Sequence, residues 1–273
     1  MSQTVDRALT ILASLGDGPA SLEQAAARIG VHKSTALRLL RTLQEHGLVD
    51  RQSDQRYRLG GRLFSLAQQA LAGIDIRQVA APYLASLNDR YGHTVQLAVL
   101  DAGEVLYLDK VQSRYPDRPG TWSDPAARIG QRVPAVATAV GKVLLADLPE
   151  DQLTAFLDLQ EFPARTRTSI RSAAEFRTEL TGVQRQGWAV DQAEYQETVN
   201  CIAAPVVGPE GTAIAACSLS APVGVAPIAE LSRLLPELLC TVEAISLAYG
   251  GSPTPRWCEN RCGAKHAVPA TRT

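Results

Sequence analysis

Aromatic side chains are scarce, 5% of 273 residues. That argues against a ring-built sugar-binding surface or a stacking platform for single strands. No apolar run reaches membrane-spanning length, and the best, Val133 to Ala146, is interrupted by Lys142. Met1–Asp6 lack a cationic stretch followed by an apolar one, so no secretory leader is expected. The five cysteines (Cys201, Cys217, Cys240, Cys258, Cys262) are odd in number and late in the chain. They do not resemble a secreted disulfide framework, so reduced thiols and a cytoplasmic location are expected. A phosphate-cradling glycine loop is missing too, because Gly141-Lys142 lacks both the upstream glycine and the following hydroxyl. No internal repeat is visible.

What remains is 45% apolar and 20% charged residues, enough for one large or two ordinary cores. The net charge of −1 is uninformative, but its distribution is not. Residues 1–73 hold nine Lys/Arg against six Asp/Glu, residues 74–250 hold 14 against 21, and residues 251–273 hold four against one. A basic front and an acidic middle point to two modules with different partners.

Helical spacing predicts a helix over 4–15, with Val5, Leu9 and Leu12 on one side and Ala8 and Ile11 widening the stripe. Ser21 is placed to cap a second helix, and a third follows over 33–46. Ala36, Leu39, Leu40 and Leu43 share the inner side of the third helix, and Ser34, Arg38 and Arg41 the outer side. Runs 48–51 and 56–59 read as a hairpin, and 62–72 as a linker helix. The second module is expected to hold helices at 76–91, 138–146, 150–157, 172–186 and 227–249. Its strands are expected at 94–101, 104–111, 199–207 and 212–220.

The 22–41 stretch fits a helix-turn-helix. Small Ala25 and Ala26 allow close crossing, and Gly30 suits the turn. Lys33, Ser34, Thr35, Arg38 and Arg41 are left outside, where a recognition helix meets the major groove of double-stranded DNA. Arg51, Arg56 and Arg58 on the hairpin form a basic wing for phosphates or the minor groove. Charge runs alone are commonly a solvated face. Here spacing, turn glycine, wing and local charge agree.

Three segments of the front module, TVDRALTILASL, LEQAAARIGVHKSTALRLLRTLQEHGLV and RYRLGGRLFSLA, resemble the winged domain and linker of the IclR family of bacterial transcription regulators. VPAVATAVGKVLLA, GWAVDQAEYQETVNCIAAPV and AIAACSLSAP resemble segments of that family's C-terminal domain, so the resemblance spans about residues 4–249. It implies an α+β chain: a winged helix-turn-helix at 1–61, a linker helix at 62–73, and a GAF-like effector domain with a curved antiparallel sheet at 74–250. The 251–273 tail reads as disordered. It further implies an operator-binding homodimer or dimer of dimers, the linker's Leu63, Phe64, Leu66, Ala67 and Leu71 offering an apolar face to a mate.

The family's effector positions carry over onto Asp191, Cys201, Ser218, Ser220 and the backbone of Ala139 and Val140. Their effectors are usually small organic or aromatic acids. The residues themselves support such a pocket. Ser218 and Ser220 are two apart on a strand and so share a face. Cys201 lies on the preceding strand, and Thr138-Ala139-Val140 opens a helix whose free N–H groups suit an anion. Against this, a strand cysteine is most often a small buried hydrophobe. Two departures from the family pattern stand out. Val136 makes the pocket less polar, and a 112–127 loop carrying Tyr115 and Trp122 reads as a lid.

An enzyme reading would need Cys201 with His93 and a carboxylate, and no motif supports it. Zinc at Cys258-x3-Cys262-x3-His266 lacks a fourth ligand and tight spacing. No cofactor and no metal are expected. The competing non-enzyme reading is a DNA-binding protein whose second module only oligomerises.

Overall fold

The structure, a computed structural model, describes residues 3–72, 75–114 and 128–251. It divides into two units at Ile74/Asp75. The first begins with α1 (Gln3–Ser14) and a 3-10 turn (Leu15–Asp17), followed by α2 (Leu22–Arg28) and α3 (Lys33–Glu45). Ser21 starts α2 as expected: its oxygen accepts from the Gln24 N–H, while Gln24 accepts from the Ser21 N–H. Gly30 has φ +62°, the left-handed backbone that glycine adopts without strain. Strands β1 (Val49–Arg51) and β2 (Tyr57–Leu59) pair antiparallel, Val49 opposite Leu59. α4 (Arg62–Ala72) follows.

Ile11, Leu15, Ala25, Leu39, Leu40, Leu43, Val49 and Tyr57 form the core of this unit. The third helix buries the four residues expected of it, but α1 is rotated from its expected face. Ile11 is fully buried, whereas Val5 and Leu9 are 56% and 57% exposed. Within this unit Ala8, Ile11, Leu12 and Leu15 pack into the core. On α4, Phe64 and Leu66 are exposed; the side chains of Ala67 and Leu71 lie outside the described residues.

The second unit is built on six antiparallel strands in the order β5-β4-β3-β8-β7-β6. These are β3 (Thr94–Asp101), β4 (Glu104–Val111), β5 (Arg132–Pro134), β6 (Ala189–Gln192), β7 (Val199–Val207) and β8 (Ala213–Pro222). α5 (Asp75–Tyr91) and α10 (Leu235–Ala248) pack on each other and on the sheet, burying Leu84, Leu87, Leu238, Val242 and Ile245. α6 (Ala139–Ala146) packs on β6, β7 and β8 and is backed by α8 (Ala173–Gln186). α7 (Glu150–Asp158) contributes Leu153 and Leu157 to that layer. Gly141 lets α6 sit tight: a Cβ there would lie 2.0 Å from the Ala135 carbonyl oxygen.

The single helix expected over 227–249 is broken. α9 (Ile228–Leu231) runs into a 3-10 turn (Ser232–Leu234), and α10 begins beside Pro236. Proline lacks an N–H and is best tolerated in a first turn, so it opens a new helix rather than kinking an old one. Strands β5 and β6 were not expected. Cys201 and Cys217 are free thiols, but Cys240 is disulfide-bonded. The expectation of reduced thiols throughout therefore fails at Cys240; pairing follows the distance between thiols, which an odd count does not reveal. Residues 115–127, with Tyr115 and Trp122, and the tail with Cys258, Cys262 and His266 lie outside the described residues. Among those described, no helix is long and apolar enough to cross a membrane.

Candidate functional sites

The outer side of α3 carries the first site. Lys33, Ser34, Arg38 and Arg41 are exposed and Thr35 is half-buried. His32 caps the helix, its ring nitrogen accepting from the Ser34 N–H. Lys33 Nζ lies 2.6 Å from Glu23 Oε1. This ammonium, hydrogen-bonded to the carboxylate, holds Glu23 down at about 2. Among the described residues neither Arg38 nor Arg41 forms an ion pair. On the hairpin, Arg51 stacks over the Tyr57 ring at 5.7 Å. Arg56 donates to the Pro19 carbonyl, and Arg58 faces Asp50 at 3.7 Å. All three arginines are exposed.

The second site is a tight pocket of about 20 Å³ between the start of α6 and the sheet. Ala139, Val140, Asp191, Cys201, Ser218 and Ser220, all six expected positions, line it. Strand register explains the convergence: Asp191 is opposite Cys201, Cys201 opposite Ser220, and Ser218 opposite Gln96. Thr138, expected only as the start of the α6 helix, also lines the pocket, and the sequence reading missed Gln96, Tyr107, Tyr195, Gln196 and Val199, which complete the wall. Val136 is not in that wall, so its effect on the pocket is corrected. It lines a separate open depression of about 350 Å³ with Phe162 and Arg165, because the 3-10 turn Ala135–Ala137 ends before the first site begins. His93 is not part of the cavity wall either.

Polar contacts inside the cavity are short. Ser220 Oγ donates to Gln96 Oε1 at 3.0 Å and Ser218 Oγ to the same atom at 3.3 Å; Cys201 Sγ is 3.0 Å from Ser220 Oγ. Thr138 caps α6 by accepting from the Gly141 N–H. Asp191 Oδ1 accepts from the Glu194 N–H at 2.7 Å. Burial pushes the Asp191 carboxyl up to about 7, with the Glu194 charge adding to the effect and Lys142 opposing it.

Behind this wall lies a buried charge cluster with no counterpart in the sequence reading. Lys142 Nζ, 1% exposed, donates to Glu194 Oε1 (2.7 Å), the Val190 carbonyl (2.9 Å) and Glu179 Oε1 (3.1 Å). Its three protons are thereby satisfied. Glu194 is raised by burial against the pull of Lys142, and its Oε2 is buried without a partner. The turn bearing Glu194 is pinned from outside, where Ser169 and Thr166 donate to the Glu194 carbonyl and Thr168 to that of Ala193. The one available signal was Lys142 itself, a charge inside an otherwise apolar helix, which must find partners if buried.

A basic, exposed helix-turn-helix with a wing, joined to an α+β unit with a pocket at a helix start, is the architecture of a DNA-binding transcription regulator. Residues 4–53 match the IclR helix-turn-helix domain, and residues 68–247 match the C-terminal domain of the bacterial transcriptional regulator IclR. The chain belongs to the IclR family of bacterial transcriptional regulators. It is 35% identical over 251 residues to the HTH-type transcriptional regulator XynR of Escherichia coli K12, covering 91% of this chain and 97% of that one. Its fold matches the Thermotoga maritima IclR structure with a TM-score of 0.77 at 28% identity, covering 92% of this chain and all of the other. An IclR homolog from Microbacterium hydrocarbonoxydans, complexed with 4-hydroxybenzoate, matches with a TM-score of 0.76. It covers 90% of this chain and 98% of that one; at 24% identity this likeness is one of fold.

Proposed function

We propose that this chain controls transcription by binding double-stranded operator DNA as a homodimer or dimer of dimers, and that a small carboxylate in the cavity changes that binding. In this reading residues 1–61 read DNA and 62–73 link the modules. Residues 74–250 sense the effector, and the protein is cytoplasmic and catalyses no reaction. Lys33, Ser34, Thr35, Arg38 and Arg41 meet the major groove, while Arg51, Arg56 and Arg58 meet the backbone beside it. The observation that carries the sensor half is the convergence of Ala139, Val140, Asp191, Cys201, Ser218 and Ser220 on one cavity at a helix start. The first-turn N–H groups of α6 seat the carboxylate. Burial raises the Asp191 carboxyl to about 7, so that a large share of it is protonated near neutral pH, and the protonated form donates to the anion rather than repelling it.

The test uses the full chain. Its melting temperature is measured against a panel of small aliphatic and aromatic acids, including 4-hydroxybenzoate, and its binding to DNA flanking its own gene is titrated with and without each hit. A stabilising acid that shifts DNA affinity about 5–150-fold is expected for a typical coupling. No stabilisation by any acid, with DNA binding intact, would leave the second unit as an oligomerisation module.

A further inference from the structure

The two cavity serines are not equivalent to two free hydroxyl donors. A serine hydroxyl carries one proton and two lone pairs. Ser218 and Ser220 both direct that proton at Gln96 Oε1, at 3.3 and 3.0 Å. With the Ser220 proton spent there, the 3.0 Å contact to Cys201 has the thiol as donor. The resulting chain is consistent throughout: the Cys201 S–H points to Ser220 Oγ, and both hydroxyls point to one amide oxygen. Gln96 is 3% exposed, Ser218 2% and Ser220 9%, so water competes poorly for these bonds. Toward the cavity the serines therefore present lone pairs. The first-turn N–H groups of α6 supply donors to the same cavity.

We propose that Gln96 is the specificity-determining residue of this cavity. By taking the protons of Ser218 and Ser220 it makes their oxygens acceptors, so the favoured ligand is a hydroxy acid. The carboxylate of that acid meets the Ala139 and Val140 N–H groups, and its hydroxyl donates to Ser218 or Ser220. This rests on the carboxylate reading above and narrows it. An acid without the hydroxyl forgoes that hydrogen bond, a loss of about tenfold in affinity.

The test compares matched pairs, lactate with propionate and 4-hydroxybenzoate with benzoate, by calorimetric titration of the full chain. At least one pair is expected to show the hydroxy member binding about tenfold tighter. Ser220→Ala should weaken that member several-fold and leave its deoxy partner within about twofold. Gln96→Met, close in volume, frees both hydroxyl protons and should bring the pair within about threefold. Gln96→Glu keeps an acceptor at that point and should keep the preference while weakening both acids through its charge. If Gln96→Met does not fold, as judged by its melting curve, Ser220→Ala decides alone. Equal weakening of both members by Ser220→Ala, or no hydroxyl preference in the unmutated chain, would overturn the role given to Gln96 while leaving the carboxylate site standing. If neither member of any pair binds, the carboxylate reading fails and takes this inference with it.

Discussion

The two units use charge in opposite ways. On α3 and the hairpin, Arg38, Arg41, Arg51 and Arg56 stand in water, and the ion pairs Lys33–Glu23 and Arg58–Asp50 are more than half exposed on nearly every side. Such charges add little to folding and remain available to a polyanion. In the second unit Lys142 is 1% exposed and Glu194 8%, with Asp191 beside them. Removing these groups from water costs several kcal/mol each, offset only while every partner is in place. Exposed charge thus marks where this chain meets something large. Buried charge marks where it holds an internal shape, here the joint between α6, strand β6 and the turn carrying Glu194.

The sharpest way to break that contrast is to remove the buried cation. Lys142→Met should cost about 3–5 kcal/mol of stability in chemical denaturation, because Glu194 and Glu179 lose their shared partner. Adding Glu194→Leu should recover part of the loss. A change under about 1 kcal/mol would show that the cluster is solvated and that the contrast is false.

Asp191 gives the next largest effect, through pH. Its folded-state carboxyl sits near 7 rather than 3.8. Below pH 3.8 both states hold the proton and nothing is lost. Between about 4 and 7 the unfolded chain releases it first, so this group's contribution to stability falls as pH rises, then stays constant. The penalty at pH 8 is up to about 4 kcal/mol. Asp191→Asn keeps the oxygen that accepts from Glu194 and removes that penalty. The variant should therefore be more stable than the parent at pH 8, and the gap should close by pH 4. A pH-independent gap would assign the effect to packing.

The same contrast explains what could be read from sequence. Strands 94–101 and 104–111 were legible because apolar alternation surrounds the turn Asp101-Ala102-Gly103. β5 and β6, of three and four residues, sit on the two sheet edges, where pattern is too short to register. The exposed arginines of α3 followed from helical period alone. The cavity positions came from family resemblance, and strand register then shows why they meet. Gln96, Lys142 and Glu194 escaped because their roles depend on cross-strand partners and depth of burial, which a one-dimensional pattern does not carry. Val5 and Leu9 were misassigned because an apolar stripe says which residues seek cover, not how many neighbours are present to supply it.

On the exposed side, Arg38→Ala and Arg41→Ala should each leave the melting curve unchanged. Whichever of the two reads a base bidentately should lose about 1–3 kcal/mol of operator affinity and relax preference at one base position. Fluorescence anisotropy against single-base operator variants measures both. Unchanged affinity in both variants would refute the placement of the recognition helix.

The smallest effect expected is also the most diagnostic of exposed charge. Lys33 cannot serve a phosphate and Glu23 with the same geometry, and at 2.6 Å it is committed to Glu23 in the free protein. Glu23→Gln removes that competitor. The start of α2 should survive, because the capping box is made by Ser21 and Gln24, not Glu23. Operator affinity should therefore rise a few-fold, more at low salt than at high, with the melting curve unmoved. Weaker binding in the variant would mean that Glu23 orients Lys33 toward the DNA rather than restraining it, and that the pair acts as a unit in recognition.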